Sequence, residues 1–457
     1  AKYVGAYASA DASLPIAIKD RQRADIEKQK LHGILTLENG LIRATLGMTL
    51  RGIRVDMEKA ERVGKLWLTR ENGFRKEVDT IAGFTLNEWS NDHIAAVCDK
   101  LSIPYSTTKK GNPTFTEEVL KFHDSPFLQL IYKIRKINRA RTKFIDDILK
   151  SYVHNGRVHP HFKQMRGGEK GDDEGGVRGG RYSCANPNIQ QTMNPKKEGN
   201  EELGKEVRSI FVPEEGARWG KFDYKQQEPK FSVHYANKFN MSGAAEYVER
   251  YRENPDLDFY EPILKSTGAS RRTAKDLALG RNYGMGIKEM AARLNISIGE
   301  AKKKLDEFDA AVPFIRQLSD FCENFAREHG YITTILGRKR HFNMWEPADA
   351  YKQRKHVIVA PLPYEDAENK WPGKQLVRAG VRTAFNQLVQ GSSADQMKKA
   401  LLDLYRQGIV PHLTFHDELG ESVFDDAHAE KIKKAMEEAV ELSVPTTVDM
   451  CLKESWS

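Results

Sequence analysis

Two short stretches, Phe222-Asp223-Tyr224 and Phe415-His416-Asp417-Glu418, place carboxylates inside otherwise apolar, strand-like runs. Each run reads as a buried strand, where an unmet carboxylate is costly unless a cation or strong donors reach it. For all-oxygen ligands with open positions the natural cation is Mg²⁺, which takes a couple of carboxylates plus substrate phosphates. The pair therefore points to two-metal phosphoryl chemistry. Each stretch also has a plainer reading. Asp223 opens Asp223-Tyr224-Lys225-Gln226-Gln227-Glu228-Pro229-Lys230, where strand gives way to helix, and could be an N-cap. His416-Asp417-Glu418 could be a polar hairpin turn, although such a turn needs neither a bulky His nor two acids between Phe415 and Leu419.

Between the two acidic spots, Arg271, Lys275, Leu279 and Tyr283 recur every four residues. That spacing lines them along one helix face. Two cations and an aromatic ring on one face can hold a triphosphate and stack on a base. Surface helices also carry Arg and Lys at this spacing, so the helix alone leaves both readings open.

The chain has 457 residues, enough for two to four domains or subdomains. It is 39% hydrophobic and 30% charged, without an apolar run of membrane-spanning length, which predicts no membrane partner. Its start lacks the pattern of a secretory signal. Cys98, Cys184, Cys322 and Cys451 lie far apart, which argues against a zinc site or disulfide framework and fits a cytoplasm-like compartment. His154, His159 and His161 lack Cys or Asp at ligand spacing, so zinc is not expected there. The net charge is +8. Basic clusters at Lys133–Lys143 and Arg338-Lys339-Arg340 suit a polyanion such as nucleic acid, or are solvated helix faces.

Helical spacing runs over 17–50 and stops near Gly52. Asp56 then reads as the N-cap of a helix over Met57–Arg70, and helical patterns continue to about 150, broken at 109–113. Residues 167–180 are glycine-rich and polar and read as a surface loop. Strands are expected at 207–213 and 218–224, and helices from 226 to 330. An irregular insertion should fill 343–377, followed by a helix at 380–406 and a hairpin at 410–424. A helix at 426–442 and a strand at 444–453 close the chain. The carboxylates then come from separate parts of one sheet, an α+β platform carrying helical lobes.

Asp-Tyr-x-Gln-x-Glu from Asp223, Arg-x-x-x-Lys from Arg271 with Tyr283-Gly284, and His416-Asp417-Glu418 follow one another in an order that resembles the polymerase module of family A DNA polymerases. The likeness extends to Arg181–Gln190, Gly330–Arg340, and Arg382, Asn386 and Gln390-Gly391. It also takes in Arg51–Asp56 and Gly156–His161, which resemble the entry to and exit from the thumb. It implies a right-hand fold: an antiparallel palm sheet with helical fingers and a helical thumb. The implied division is an exonuclease-like remnant at 1–20, palm-entry helix and thumb at 21–165, first palm part at 166–252, fingers at 253–378 and second palm part at 379–457.

The resemblance implies template-directed addition of dNTPs to a primer 3′-hydroxyl by two-metal phosphoryl transfer. Asp223 and Asp417 would bridge two Mg²⁺ ions, with Mn²⁺ as a substitute, and the Tyr224 carbonyl would complete one shell. Glu418 would tune the pair as a weaker or indirect ligand. Arg271 and Lys275 would grip the triphosphate, Lys275 also protonating the leaving group. Glu228 would gate the sugar, Tyr283 would close the pocket, and Gln226, Tyr260 and Leu279 would line it. Arg181, Asn188, Gln190, Arg382, Asn386, Gln390 and His416 would contact primer–template DNA. Tyr7 and Asp11 resemble the last motif of the family's proofreading exonuclease, whose earlier acidic motifs are absent, so no proofreading is expected from this chain. A monomer is expected, working with helicase or processivity factors in a replicative role.

Leu279 stands where most of the family has Phe or Tyr, Tyr260 near where it has His, and Lys225 and Gln227 where it has small and aliphatic residues. With the 343–377 and 167–180 segments, these departures imply a viral or organellar branch, hence a host cytoplasm or an organelle matrix. A single-subunit RNA polymerase would not need Glu228. A DNA clamp would need none of the acids, and a nuclease would not need the Arg271–Tyr283 face.

Overall fold

The computed structural model describes residues 2–108, 110–165, 179–196, 199–268, 270–282, 285–349 and 360–457. At its centre is a four-stranded antiparallel sheet in the order Leu413–Phe415, Glu418–Val423, Arg218–Tyr224, Val448–Lys453. The inner strand Arg218–Tyr224 buries Trp219, Phe222 and Tyr224. Helices Asp426–Glu437 and Ala384–Arg406 pack behind it through Ile432, Met436, Met397 and Leu401. The sheet and these helices form one continuous apolar core with Leu41, Trp67 and Trp456.

Two further cores hold the helical lobes. Phe231, Tyr251, Phe259, Phe308, Phe314 and Leu318 organise the helices between Gln227 and His329. Val78, Ile94, Leu128, Ile131 and Ile134 join helix Met57–Ala82 to Asn91–Lys100 and Pro126–Arg141. Asp56 caps the first of these, accepting from Lys59 N at 2.9 Å. Among the described residues no helix is long and apolar enough to cross a membrane.

A buried ionic cluster fastens the sheet's helix to its neighbours. Glu38 on helix His32–Arg51 meets Lys398 and Arg338, each at 2.6 Å, and Arg338 also meets Asp395 at 2.8 Å. Burial alone would raise the Glu38 pKa, but the two cations outweigh it and hold the carboxyl below its ordinary value. Arg338, read from sequence as facing either a polyanion or solvent, is thus spent on structure.

The structure departs from the sequence-based expectations at several boundaries. The 17–50 run is two helices, Lys2–Gln29 and His32–Arg51, broken at Lys30, whose φ is +57°. Within 207–213 only Phe211–Val212 is strand, because Val207 and Arg208 end the helix Glu201–Arg208, which buries Leu203 and Val207 on one side. The 343–377 segment is more ordered than expected: Trp345–Pro347 pairs with Leu376–Arg378 and a helix covers Tyr364–Lys370. The glycine-rich 167–180 loop falls largely outside the described residues. The helix expected to reach 442 stops at Glu437.

The sheet is packed closely enough that a Cβ on Gly420 would lie 2.8 Å from Trp219 Cζ2 and 3.0 Å from Leu413 Cγ. Gly420→Ala should therefore cost about 1–3 kcal/mol. Chemical denaturation checks this, and an unchanged midpoint would contradict it.

Candidate active site

Strand pairing brings the acids together. Asp223 lies opposite Glu418 on one side and Asp449 on the other. Phe415 pairs with Glu418, leaving His416 and Asp417 as a two-residue loop. His416 takes a φ of +59°, and Tyr224 N donates to Asp417 O at 3.1 Å. Asp417 is thereby held beside the end of the strand that carries Asp223. The N-cap reading of Asp223 fails, since Gln226 is the N-cap of the following helix.

Among the described residues, neither the Asp223 nor the Asp417 carboxylate accepts a hydrogen bond. Asp223 has an ion-pair contact of 3.9 Å with Lys221. Glu418 is differently placed: Lys221 donates to one oxygen and Trp456 Nε1 to the other, the latter at 2.8 Å. Burial, then the neighbouring Asp417, push the Asp223 pKa up to about 7, with Lys221 opposing. Such a pair of crowded carboxylates lacks positive charge. No group of three or more His, Cys, Asp or Glu side chains suited to a metal occurs among the described residues. Two open carboxylates suit Mg²⁺, which completes its shell with water and substrate phosphates, and do not suit zinc.

The sequence profile of DNA polymerase family A matches residues 57–457. The chain is 31% identical to a DNA-directed DNA polymerase of Pseudomonas phage M6, over 100% of this chain and 70% of that protein. It is 27% identical to DNA polymerase DpoZ of Salmonella phage PMBT28, over 97% of this chain and 72% of the relative. This chain belongs to DNA polymerase family A. It is also 27% identical to DNA polymerase I of Chloroflexus aurantiacus, over 98% of this chain but 46% of that longer protein. The fold matches the POL domain of Pol1 from M. smegmatis, in complex with DNA primer-template and dNTP. The TM-score is 0.70 at 24% identity, over 92% of this chain and 70% of the other. The likeness carries the palm, fingers and thumb architecture expected from the motifs, and the enzyme is a DNA-directed DNA polymerase.

In this family A polymerase a second set of expected residues forms a connected chain. Arg181 pairs with Glu228 at 2.7 Å. Glu228 adds to the rise that burial imposes on the Tyr260 hydroxyl pKa. The Arg271 guanidinium lies 5.7 Å from the Tyr260 ring centre and is held by Asp258 at 2.7 Å. Gln226 spends its amide on Leu257 O and Phe259 N, each at 2.8 Å, fixing the turn that carries Asp258 and Tyr260. Lys275 is exposed one turn beyond Arg271 on the helix Arg271–Asn282. The Leu279 side chain and Tyr283 lie outside the described residues.

Arg181, Gln190 and His416 line a narrow cleft with Tyr182 and Thr414. Gln190 donates to Thr414 O at 2.8 Å, and the Asn188 Oδ1 is buried without a hydrogen-bond partner among the described residues. Asn386 and Gln390 sit one turn apart on the helix Ala384–Arg406, and Arg382 just precedes it. The basic run at 133–143 splits in two. Arg135 is spent on the carbonyls of Glu88 and Phe115, and Arg141 on Glu71 and Asp146. Lys133, Arg139 and Lys143 are exposed.

Sequence reading missed Lys221, Trp456, Arg208 and Asp258. Lys221 carried a signal, a cation two residues before Asp223 and so on the same strand face. The others reach the site only through tertiary packing.

The folded-state pKa of Asp223, about 7, exceeds its ordinary 3.8. Its ionisation therefore opposes folding, so in metal-free protein this contribution to stability is present below about pH 4 and lost as pH rises through about 7. Burial raises Glu421 to about 7 as well, but equally in wild type and variant. In EDTA, Asp223→Asn should lose less Tm than wild type as pH rises over that window. Equal losses in calorimetry would contradict the placement of Asp223.

Proposed function

We propose that this chain extends a primer on a DNA template, Asp223 and Asp417 being the side chains that hold two Mg²⁺ ions, or Mn²⁺ in their place, with the Tyr224 carbonyl. When bound, such ions lower the pKa of the primer 3′-hydroxyl and neutralise charge on the triphosphate. The observation that carries the reading is the two crowded carboxylates at one end of the sheet, neither accepting a hydrogen bond among the described residues, on a chain of this family. The protein's own part is positioning and charge. Arg271, preset by Asp258 and Tyr260, and Lys275, one turn on, would take the β- and γ-phosphates, with Lys275 giving a proton to the departing pyrophosphate. Glu228, steered by Arg181, would pack where a ribonucleotide carries its 2′-hydroxyl. Gln226 and Tyr260 would shape the same pocket, with Leu279 and Tyr283 beside them.

Primer–template DNA would meet Arg181, Asn188, Gln190, Arg382, Asn386, Gln390 and His416, which can donate to minor-groove acceptors shared by all base pairs. The thumb would be 21–165, the fingers 253–378, and the palm 166–252 with 379–457. Lys133, Arg139 and Lys143 suit backbone phosphates on the thumb. The M. smegmatis structure, described as a complex with primer-template and dNTP, supports this choice of partners. The phage relatives support a place inside an infected host cell. A replicative role there, with helicase or a processivity factor as accessory partners, is part of the same proposal. Tyr7 and Asp11 lie on the helix Lys2–Gln29, where both are exposed, and we assign this chain synthesis without editing.

Asp417→Ala should slow primer extension by about 10³-fold or more while leaving the fold intact by circular dichroism. Persisting extension would overturn the site. Glu228→Ala should raise ribonucleotide incorporation relative to dNTP about tenfold or more, read by single-nucleotide extension. An unchanged ratio would remove Glu228 from the sugar-gating role.

A further inference from the structure

Lys221 and Asp223 are two residues apart on one strand, so both project from the same face of the sheet. The Lys221 ammonium donates to Glu418 Oε2 and lies 3.9 Å from Asp223 Oδ2. Trp456 Nε1 donates to the opposite oxygen, Glu418 Oε1, at 2.8 Å. Behind the indole, the Arg208 guanidinium lies 4.4 Å from the ring centre and is itself fixed by Met193 O at 3.1 Å. Glu418 is thus buried and engaged at both oxygens, whereas among the described residues neither Asp223 nor Asp417 accepts a hydrogen bond, and Asp223 has only the longer contact with Lys221. To reach a metal, Glu418 would have to abandon a buried ion pair and a buried indole N–H, each of which is costly to leave unmet.

We propose that Lys221 is a positioning residue that withholds Glu418 from the metal site, so that a cluster of three carboxylates offers only two as ligands. The proposal rests on the reading that Asp223 and Asp417 hold the metal. Divalent-ion affinity rises with the number of charged ligands. Two carboxylates beside a fixed ammonium hold an ion loosely until nucleotide phosphates add their oxygens. Removing Lys221 takes away the opposing charge and releases one Glu418 oxygen toward the ion.

The test is Mn²⁺ binding to the full chain without DNA or nucleotide, read from the loss of the free-ion electron paramagnetic resonance signal. Lys221→Met and Lys221→Gln should each tighten Mn²⁺ binding about tenfold. Lys221→Arg should stay near wild type, and K221M/E418Q should return toward it. Damage to the fold would weaken binding, so tightening is specific to the proposed role. Wild-type or weaker affinity in folded K221M and K221Q, or a K221M/E418Q protein as tight as K221M, would overturn the proposal. Asp417→Asn separates the two levels: if it leaves wild-type Mn²⁺ binding intact, the metal assignment fails and the proposal with it. If it abolishes binding while K221M and K221Q match wild type, only the proposal fails.

Discussion

The register between Arg218–Tyr224 and Glu418–Val423 is the constraint on which the rest of the site depends. It sets Asp223 opposite Glu418 and, through the Tyr224 N–H, anchors the loop that carries Asp417. A slip of one residue would turn every side chain of the strand to the other face. That register is enforced by burial on both faces: Phe222 and Leu419 pack on the face away from the acids, and Trp219 and Leu413 on the face that carries them, all within one core. The acids are therefore held together by burial of their neighbours, against their own repulsion. Such an arrangement is electrostatically incomplete, and its completion by cations and phosphates is what phosphoryl transfer requires.

Around this pair the polar groups fall into two classes. Glu418, Lys221 and Trp456 satisfy one another, as do Glu38, Lys398, Arg338 and Asp395. These closed sets fix positions and have little capacity left for ligand. Among the described residues Asp417 and Lys275 make no ion pair, Asp223 has the 3.9 Å contact with Lys221, and Arg271 and Arg181 are each held by one half-buried carboxylate. A polyphosphate or DNA can compete for such loosely held guanidiniums. The division between closed and open sets thus separates scaffold from site within a few ångströms.

Much of this was legible in the sequence, and the reasons differ by element. Asp223, Asp417 and the cationic helix were readable because their chemistry conflicts with their apolar or periodic surroundings, and local pattern exposes such conflicts. The N-cap Asp56 and the stop at Gly52 were readable because caps are local. Val207 and Arg208 were misread as strand because a short apolar run fits a buried strand and a helix end equally. Arg135, Arg141 and Arg338 counted as surface cations until tertiary partners appeared from far along the chain. Trp456 could not have been found: it reaches Glu418 across 38 residues, through packing on Arg208 and Phe415.

We propose that Asp223 and Asp417 jointly carry the metal while Glu418 stays with Lys221 and Trp456. The most direct test is anomalous diffraction from this chain crystallised with primer–template, a non-hydrolysable dNTP and Mn²⁺. Mn²⁺ density should be bound by carboxylate oxygens of both Asp223 and Asp417, with Glu418 still hydrogen-bonded to Trp456. Density bound by Glu418, or none between the two aspartates in a crystal with ordered nucleotide, would contradict this proposal.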